Sequence, residues 1–138
     1  AELQRIVAAS ALFSVMDARG VQRLADIARP EVFRPNETIV QEGAMSRLFY
    51  IIVQGGVRVV AEAADAAEVA RLGAGQFFGE MGILNEEPRS ASVRAIGETR
   101  CLLFDKTPPL AILEDYPQIL HGLGAVSVQR ASKLSEIS

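Results

Sequence analysis

A chain of 138 residues, 49% hydrophobic and 22% charged, has the length of one domain and the composition of an ordinary globular one, which excludes a disordered chain. Its net charge of −3 argues against a nucleic-acid surface, and its longest uncharged apolar run, around Leu48 to Val57, falls far short of the roughly 20 residues a membrane helix needs. The single Cys101 excludes an internal disulfide, and no signal-peptide pattern opens the chain, so a cytoplasmic protein is expected.

Leu3, Ile6, Val7 and Leu12 recur near helical spacing and predict a short helix over residues 2 to about 10. Asp17 is a predicted N-cap for a second helix, whose apolar face (Val21, Leu24, Ala25, Ile27, Ala28) runs down to Pro30, the expected stop. From Glu31 the period changes to two. Val32 and Arg34, then Thr38 to Val40 and Glu42-Gly43, predict short strands around a Pro35-Asn36-Glu37 turn. Residues 48–53 read as a buried strand, Gln54-Gly55-Gly56 as a turn, and 57–61 as the next strand. Residues 62–67 read as a hairpin connection, with an alanine-rich helix the competing reading that six residues between strands disfavour, and 68–72 as its return strand; 92–96 and 99–105 follow as two more, around Gly97-Glu98. Seven or eight short strands at about ten-residue spacing predict a jelly-roll or barrel-like sandwich. Cys101 falls within such an apolar run and reads as a buried strand residue, and His121 as a packing or surface histidine with no second ligand near it. Pro108-Pro109 opens a predicted helix over 110–115. Pro117 starts another to about residue 137, with Leu120, Leu123, Ser127, Arg130 and Leu134 able to share a face and Gly122 and Gly124 weakening its middle.

Between the strands lies Gly75-Gln76-Phe77-Phe78-Gly79-Glu80-Met81-Gly82-Ile83-Leu84, followed by Pro88-Arg89-Ser90-Ala91-Ser92-Val93. Gly79 and Gly82 bracket a segment long enough for one helical turn, whose unpaired N–H groups and dipole favour an anion. Arg89 adds a permanent charge and a planar fork of donors suited to phosphate oxygens. Glu80 beside an anion needs a donor, and a sugar hydroxyl is one. Phosphate, hydroxyl and apolar walls describe a nucleotide.

These residues resemble the phosphate-binding cassette of the cyclic-nucleotide-binding domain family, shared by catabolite-activator-type regulators, regulatory subunits of cyclic-AMP-dependent kinase and cyclic-nucleotide-gated channels. The resemblance implies a mainly β fold with flanking helices (α+β), an eight-stranded antiparallel β-roll (jelly roll). One domain over 1–138 is expected, with N-terminal helices over 1–30, the roll and cassette over 31–106, and two hinge and lid helices over 107–138. It implies that Arg89 neutralises the cyclic phosphate and that Glu80 accepts from the ribose 2′-hydroxyl, with Gly79 allowing close approach. Gly82, Ile83, Ser90 and Ala91 would supply backbone donors to the phosphate, within a ligand-binding set that includes Met81. Val59 and Val69, on facing strands, would wall the base, and Arg130 or Leu134 would cap it. With the ligand as its partner, Arg89 is expected to matter little to stability without it.

The expected ligand is cAMP, with cGMP possible and no metal. In the family a Thr after the cassette arginine goes with cGMP and Ala with cAMP, while Arg89-Ser90 resembles the cAMP-reading catabolite-activator pattern. An enzyme is not expected, because phosphodiester hydrolysis wants metal ligands or a nucleophile with its base, and one His supplies neither. A regulator that binds DNA through a part outside this chain, and an interaction module that no longer needs ligand, are the alternatives. The expected partners are the cyclic nucleotide and an effector beyond the chain ends, with no direct nucleic acid contact and no membrane insertion by this segment.

Overall fold

Asp17 caps helix α1, Ala18–Ile27, in the way its side chain predicts: Oδ1 accepts from the Gly20 N–H at 2.9 Å, satisfying one of the first-turn donors. The same oxygen accepts from the Tyr116 hydroxyl at 2.6 Å, and Arg23 donates to Asp115 at 2.7 Å. A Cβ at Gly20 would lie 2.2 Å from the Tyr116 hydroxyl, so a larger residue there would displace the Tyr116 ring from Asp17. The computed structural model describes residues 16–44, 48–62, 65–79, 89, 91–105, 114–119, 121–122, 125–126 and 130. The predicted helix over 2–10 lies outside them. So does most of the one over 110–115, of which Glu114 and Asp115 form a turn, while helical backbone follows at 117–119, 121–122, 125–126 and 130.

Among the described residues eight strands follow α1: β1 Arg29–Phe33, β2 Thr38–Val40, β3 Leu48–Gln54, β4 Gly56–Ala61, β5 Ala67–Gly73, β6 Phe77–Phe78, β7 Ser92–Ala95 and β8 Thr99–Asp105. They make two four-stranded sheets with antiparallel pairing throughout, ordered β1-β8-β3-β6 and β2-β7-β4-β5. This is the mainly β roll that the alternating pattern predicts. Three local expectations change. The helix ends at Ile27, and Pro30 sits inside β1, a sheet-edge strand where its missing N–H does no harm. Glu42 and Gly43 form a turn, not a strand. Gly55 alone joins β3 to β4, which lie in different sheets. It takes φ +90, where a Cβ would come 2.5 Å from the Glu98 carbonyl oxygen.

Period-two alternation gives the first sheet two buried faces. Tyr50, Ile52, Phe78, Cys101 and Leu103 face inward and pack with Val40, Val57, Leu72 and Val93 of the second sheet. Phe49, Ile51, Phe77 and Phe104 face outward and pack with Met16, Val21 and Leu24 near and on α1 and with Ile119 of the C-terminal segment. The two-residue strand β6 therefore sends Phe77 to the outer core and Phe78 to the inner one. No helix among the described residues is long and apolar enough to cross a membrane.

Candidate functional site

Arg89 is the buried cation of the roll, only 7% exposed. Its main chain pairs with the turn after β2: its N–H donates to the Ala44 carbonyl at 2.9 Å, and its carbonyl accepts from the Gly43 N–H at 2.7 Å. From that fixed base the guanidinium reaches two backbone carbonyls. One terminal nitrogen donates to Gly79 at 3.1 Å and the other to Leu48 at 2.5 Å. Arg89 is thus engaged without a ligand, so the expectation that the ligand is its partner in the folded chain is corrected. Charged hydrogen bonds of this kind contribute about 1.5–3 kcal/mol each.

Gly79 is where β6 ends. It takes φ +86, and a Cβ there would come 2.6 Å from the Leu48 carbonyl oxygen and 3.3 Å from an Arg89 terminal nitrogen. Only a residue without a side chain lets the chain turn out of β6 so close to both. Gly79 and Arg89 are the two predicted site residues that the structure brings into direct contact. Ala91 is buried immediately before β7. Val59 lies on β4 with Ala70 and Val93 as its cross-strand partners, against the same inner core as Phe78 and Leu48. Val69 is buried too, but β4 and β5 are adjacent strands rather than facing ones. The register slips between Val59↔Ala70 and Val60↔Glu68, leaving Val69 at a bulge without a direct partner.

Arg130 sits on the far side of the first sheet from this core. Its guanidinium lies 4.9 Å from the Phe77 ring centroid and donates to the Phe77 carbonyl at 3.0 Å. Phe77 belongs to the outer core, so in this structure Arg130 packs behind β6. Glu80, Met81, Gly82, Ile83, Ser90 and Leu134 lie outside the described residues. Three positions that the sequence reading did not single out also shape the site: Leu48 through its carbonyl, and Tyr50 and Phe78, whose rings stack at 4.5 Å and 9°. Main-chain acceptance leaves no trace in residue type, so Leu48 carried no signal. The Phe77-Phe78 pair directly before Gly79 was the visible hint of a strand.

The electrostatics follow from burial. Desolvation pushes the Tyr50 phenol above its ordinary range, and the nearby Arg89 charge opposes that shift. Among the described residues no group of three or more His, Cys, Asp or Glu side chains could hold a metal ion. The site therefore holds a shielded guanidinium beside a glycine that permits close approach.

Residues 30–116 match the family model of the cyclic nucleotide-binding domain. The chain belongs to that family. Members are regulatory ligand-binding domains, and the relatives found for this one include channels. The human potassium/sodium hyperpolarization-activated cyclic nucleotide-gated channel 1 is 30% identical over 135 residues, covering 96% of this chain and 15% of the channel. A putative potassium channel protein of Rhodopseudomonas palustris is 27% identical over 128 residues, covering 93% of this chain and 31% of its own length. This chain therefore spans under a third of those relatives. Among solved structures, the catabolite activator protein of Thermus thermophilus superposes with a TM-score of 0.77 at 27% identity, covering 91% of this chain and 60% of that one. A kinase regulatory-subunit domain with a bound cAMP analogue shares the fold at a TM-score of 0.81 and 22% identity, covering 94% of this chain and 87% of that one.

Proposed function

We propose that this cyclic nucleotide-binding domain binds cAMP in preference to cGMP and relays occupancy through its C-terminal helix to an effector fused to it or docked beside it. The observation that carries the reading is the buried Arg89 fork held against Gly79 at the start of the cassette. A shielded guanidinium attracts a phosphate far more strongly than a solvated one, because little water screens it. Arg89 then takes the cyclic phosphate, joined by the amides of Gly82, Ile83, Ser90 and Ala91, and Glu80 accepts from the ribose 2′-hydroxyl. Met81 belongs to the same ligand-binding set. Val59 and Val69 wall the base. The relay needs the C-terminal helix to gain contact when ligand binds, since a ligand shifts an equilibrium only by binding one state better. Arg130 or Leu134 provides that contact, and for Arg130 this means leaving Phe77.

The whole chain, 1–138, is proposed as one such module with no catalytic role, acting in the cytoplasm on an effector beyond its ends. A DNA-binding part or a channel pore are both compatible with that placement. Calorimetric titration with cAMP, cGMP and 5′-AMP is the direct test. Tightest binding of cAMP is expected, with 5′-AMP weakest and Ser90→Thr narrowing the gap to cGMP. A tighter constant for cGMP overturns the preference, and no binding of any of the three overturns the site.

A second reading, a module that has lost its need for ligand, is favoured by one observation. The Arg89 fork is already engaged by the Gly79 and Leu48 carbonyls. The same titration separates the two.

A further inference from the structure

The aim of the Arg89 fork is set by two carbonyls on different strands. Leu48 opens β3 and Gly79 follows β6, so the separation of these strands at this end decides where the two acceptors stand. The β3–β6 ladder is only two residue pairs long, Tyr50↔Phe78 and Ile51↔Phe77. Main-chain bonds between Ile52 and both Gly75 and Gln76 continue the pairing away from the site, so toward Leu48 and Gly79 the ladder stops at the Tyr50↔Phe78 rung and side-chain contact across that rung supplies the rest. At the rung nearer the site the Tyr50 and Phe78 rings lie nearly parallel, 4.5 Å apart, both buried in the inner core. Tyr50 is two residues from Leu48, and Phe78 is bonded to Gly79. Among the described residues no other pair bridges the two strands on that face so close to both acceptors.

We propose that Tyr50, stacked on Phe78, is a positioning residue for the anion-binding guanidinium: the stack fixes the spacing of the Leu48 and Gly79 carbonyls and so holds the Arg89 fork where a phosphate meets it. The inference rests on the reading of Arg89 as the phosphate ligand, and it adds a residue that touches neither phosphate nor sugar. An aromatic ring at position 50 is what the geometry requires. The hydroxyl contributes nothing to the stack, whose offset-parallel form depends on the two π faces.

The test compares Tyr50→Phe, which keeps the ring, with Tyr50→Leu, which keeps apolar bulk and loses it. Each is made in the wild-type and Arg89→Leu backgrounds, with cAMP affinity measured by calorimetry and the Arg89 side-chain N–H signal followed by NMR without ligand. Tyr50→Phe is expected to leave both unchanged. Tyr50→Leu is expected to weaken cAMP binding about tenfold, the scale on which a preorganised site loses a supporting residue, and to shift or broaden the Arg89 signal. In the Arg89→Leu background the same change should cost no further affinity, because its effect runs through the arginine. An equal loss in both backgrounds, or an undisturbed Arg89 signal in Tyr50→Leu, overturns the proposal. Should the wild-type protein bind no cyclic nucleotide, the site reading fails, and the NMR comparison still decides whether Tyr50 positions Arg89. If Tyr50→Leu does not fold, Phe78→Leu breaks the stack from the other strand and is read in the same way.

Discussion

On the inner face of the first sheet, Tyr50, Ile52, Phe78, Cys101 and Leu103 are closed in by strands of the second sheet. On its outer face, Phe49, Ile51, Phe77 and Phe104 are covered by α1 and by Ile119 of the C-terminal segment. The inner core is bounded on both sides by main-chain ladders, including the long β3–β8 and β4–β5 pairings, each with one register shift. The outer core is closed by a few point attachments: Asp17 to Tyr116, Arg23 to Asp115, and Arg130 to Phe77. A ladder moves as a unit, whereas side-chain clips release one at a time. The arginine proposed to bind the anion hangs from the ladder side and the helix proposed to relay occupancy from the clip side. The dipeptide Phe77-Phe78 belongs to both.

The largest effect should come from emptying the inner core. Ile52 is fully buried, and Ile52→Ala is expected to lose about 3–5 kcal/mol of unfolding free energy in a denaturant titration. Ile119→Ala, equally buried on the outer side, should lose nearer 2–3 kcal/mol, because a helix held by clips can settle into the space. Equal losses would mean that the two faces are equally rigid.

Arg89→Leu tests the hinge of the comparison from the ligand side. It should weaken cAMP binding by about 2–4 kcal/mol, roughly 30- to 1000-fold in calorimetry. Because its fork also bonds Gly79 and Leu48, the ligand-free protein should lose about 1–3 kcal/mol as well, seen as an earlier thermal transition. An unchanged transition would mean that those carbonyls find water as easily as they find the guanidinium.

Arg130→Ala removes one clip. A cation over an aromatic face contributes about 0.5–2 kcal/mol depending on exposure, so stability should fall by about 1 kcal/mol. Hydrogen exchange should quicken at residues 117–119, 121–122, 125–126 and 130 and stay unchanged along β3, β4 and β8. Faster exchange in β3 would show that the outer attachments brace the ladder after all.

How far all this can be read from residue type alone depends on what kind of bond is involved. Alternation from 48 to 53, 57 to 61 and 99 to 105 marks strands because a half-buried sheet imposes a period of two, and Asp17 announces a cap because a carboxylate suits first-turn N–H groups. Period tells which face a side chain takes but not which strand lies beside it, so the division into two sheets at Gly55 had no sequence signature. The bulge at Val69 was hidden for the same reason. β6 was hard to see because two apolar residues inside a glycine-rich motif form no period at all. In the site, Arg89 and Gly79 were legible from charge and from the missing side chain. Arg89's engagement with Leu48 was not, since any residue offers a carbonyl. Arg130 stood out as a cation on an apolar face, but whether it covers a base or Phe77 depends on where the helix rests.

The smallest expected effect concerns one clip and acid. The Tyr116 hydroxyl, and then the Gly20 N–H, hold the Asp17 carboxyl below its ordinary value, and the same hydrogen bond raises the Tyr116 phenol. A depressed folded-state value contributes stability above the unfolded pKa and loses it as pH falls through the folded one. The raised phenol contributes below its unfolded pKa and loses it as pH rises. Thermal transitions should therefore slip slightly below pH ~4 and again above pH ~10. Asp17→Asn, which keeps a capping oxygen without the charge, should flatten the acid limb and leave the inner core unaffected.

Cys101 has a practical bearing on how these movements can be watched. Burial pushes its thiol up to about 12, and it is only 1% exposed. At pH 8 that leaves about one thiolate in ten thousand, on a side chain that reagents cannot reach. The native cysteine is therefore silent toward maleimides and methanethiosulfonates. A pair of cysteines introduced on α1 and the C-terminal segment can carry fluorophores or spin labels without replacing Cys101. The inner core stays intact in the very protein whose outer attachments are being followed.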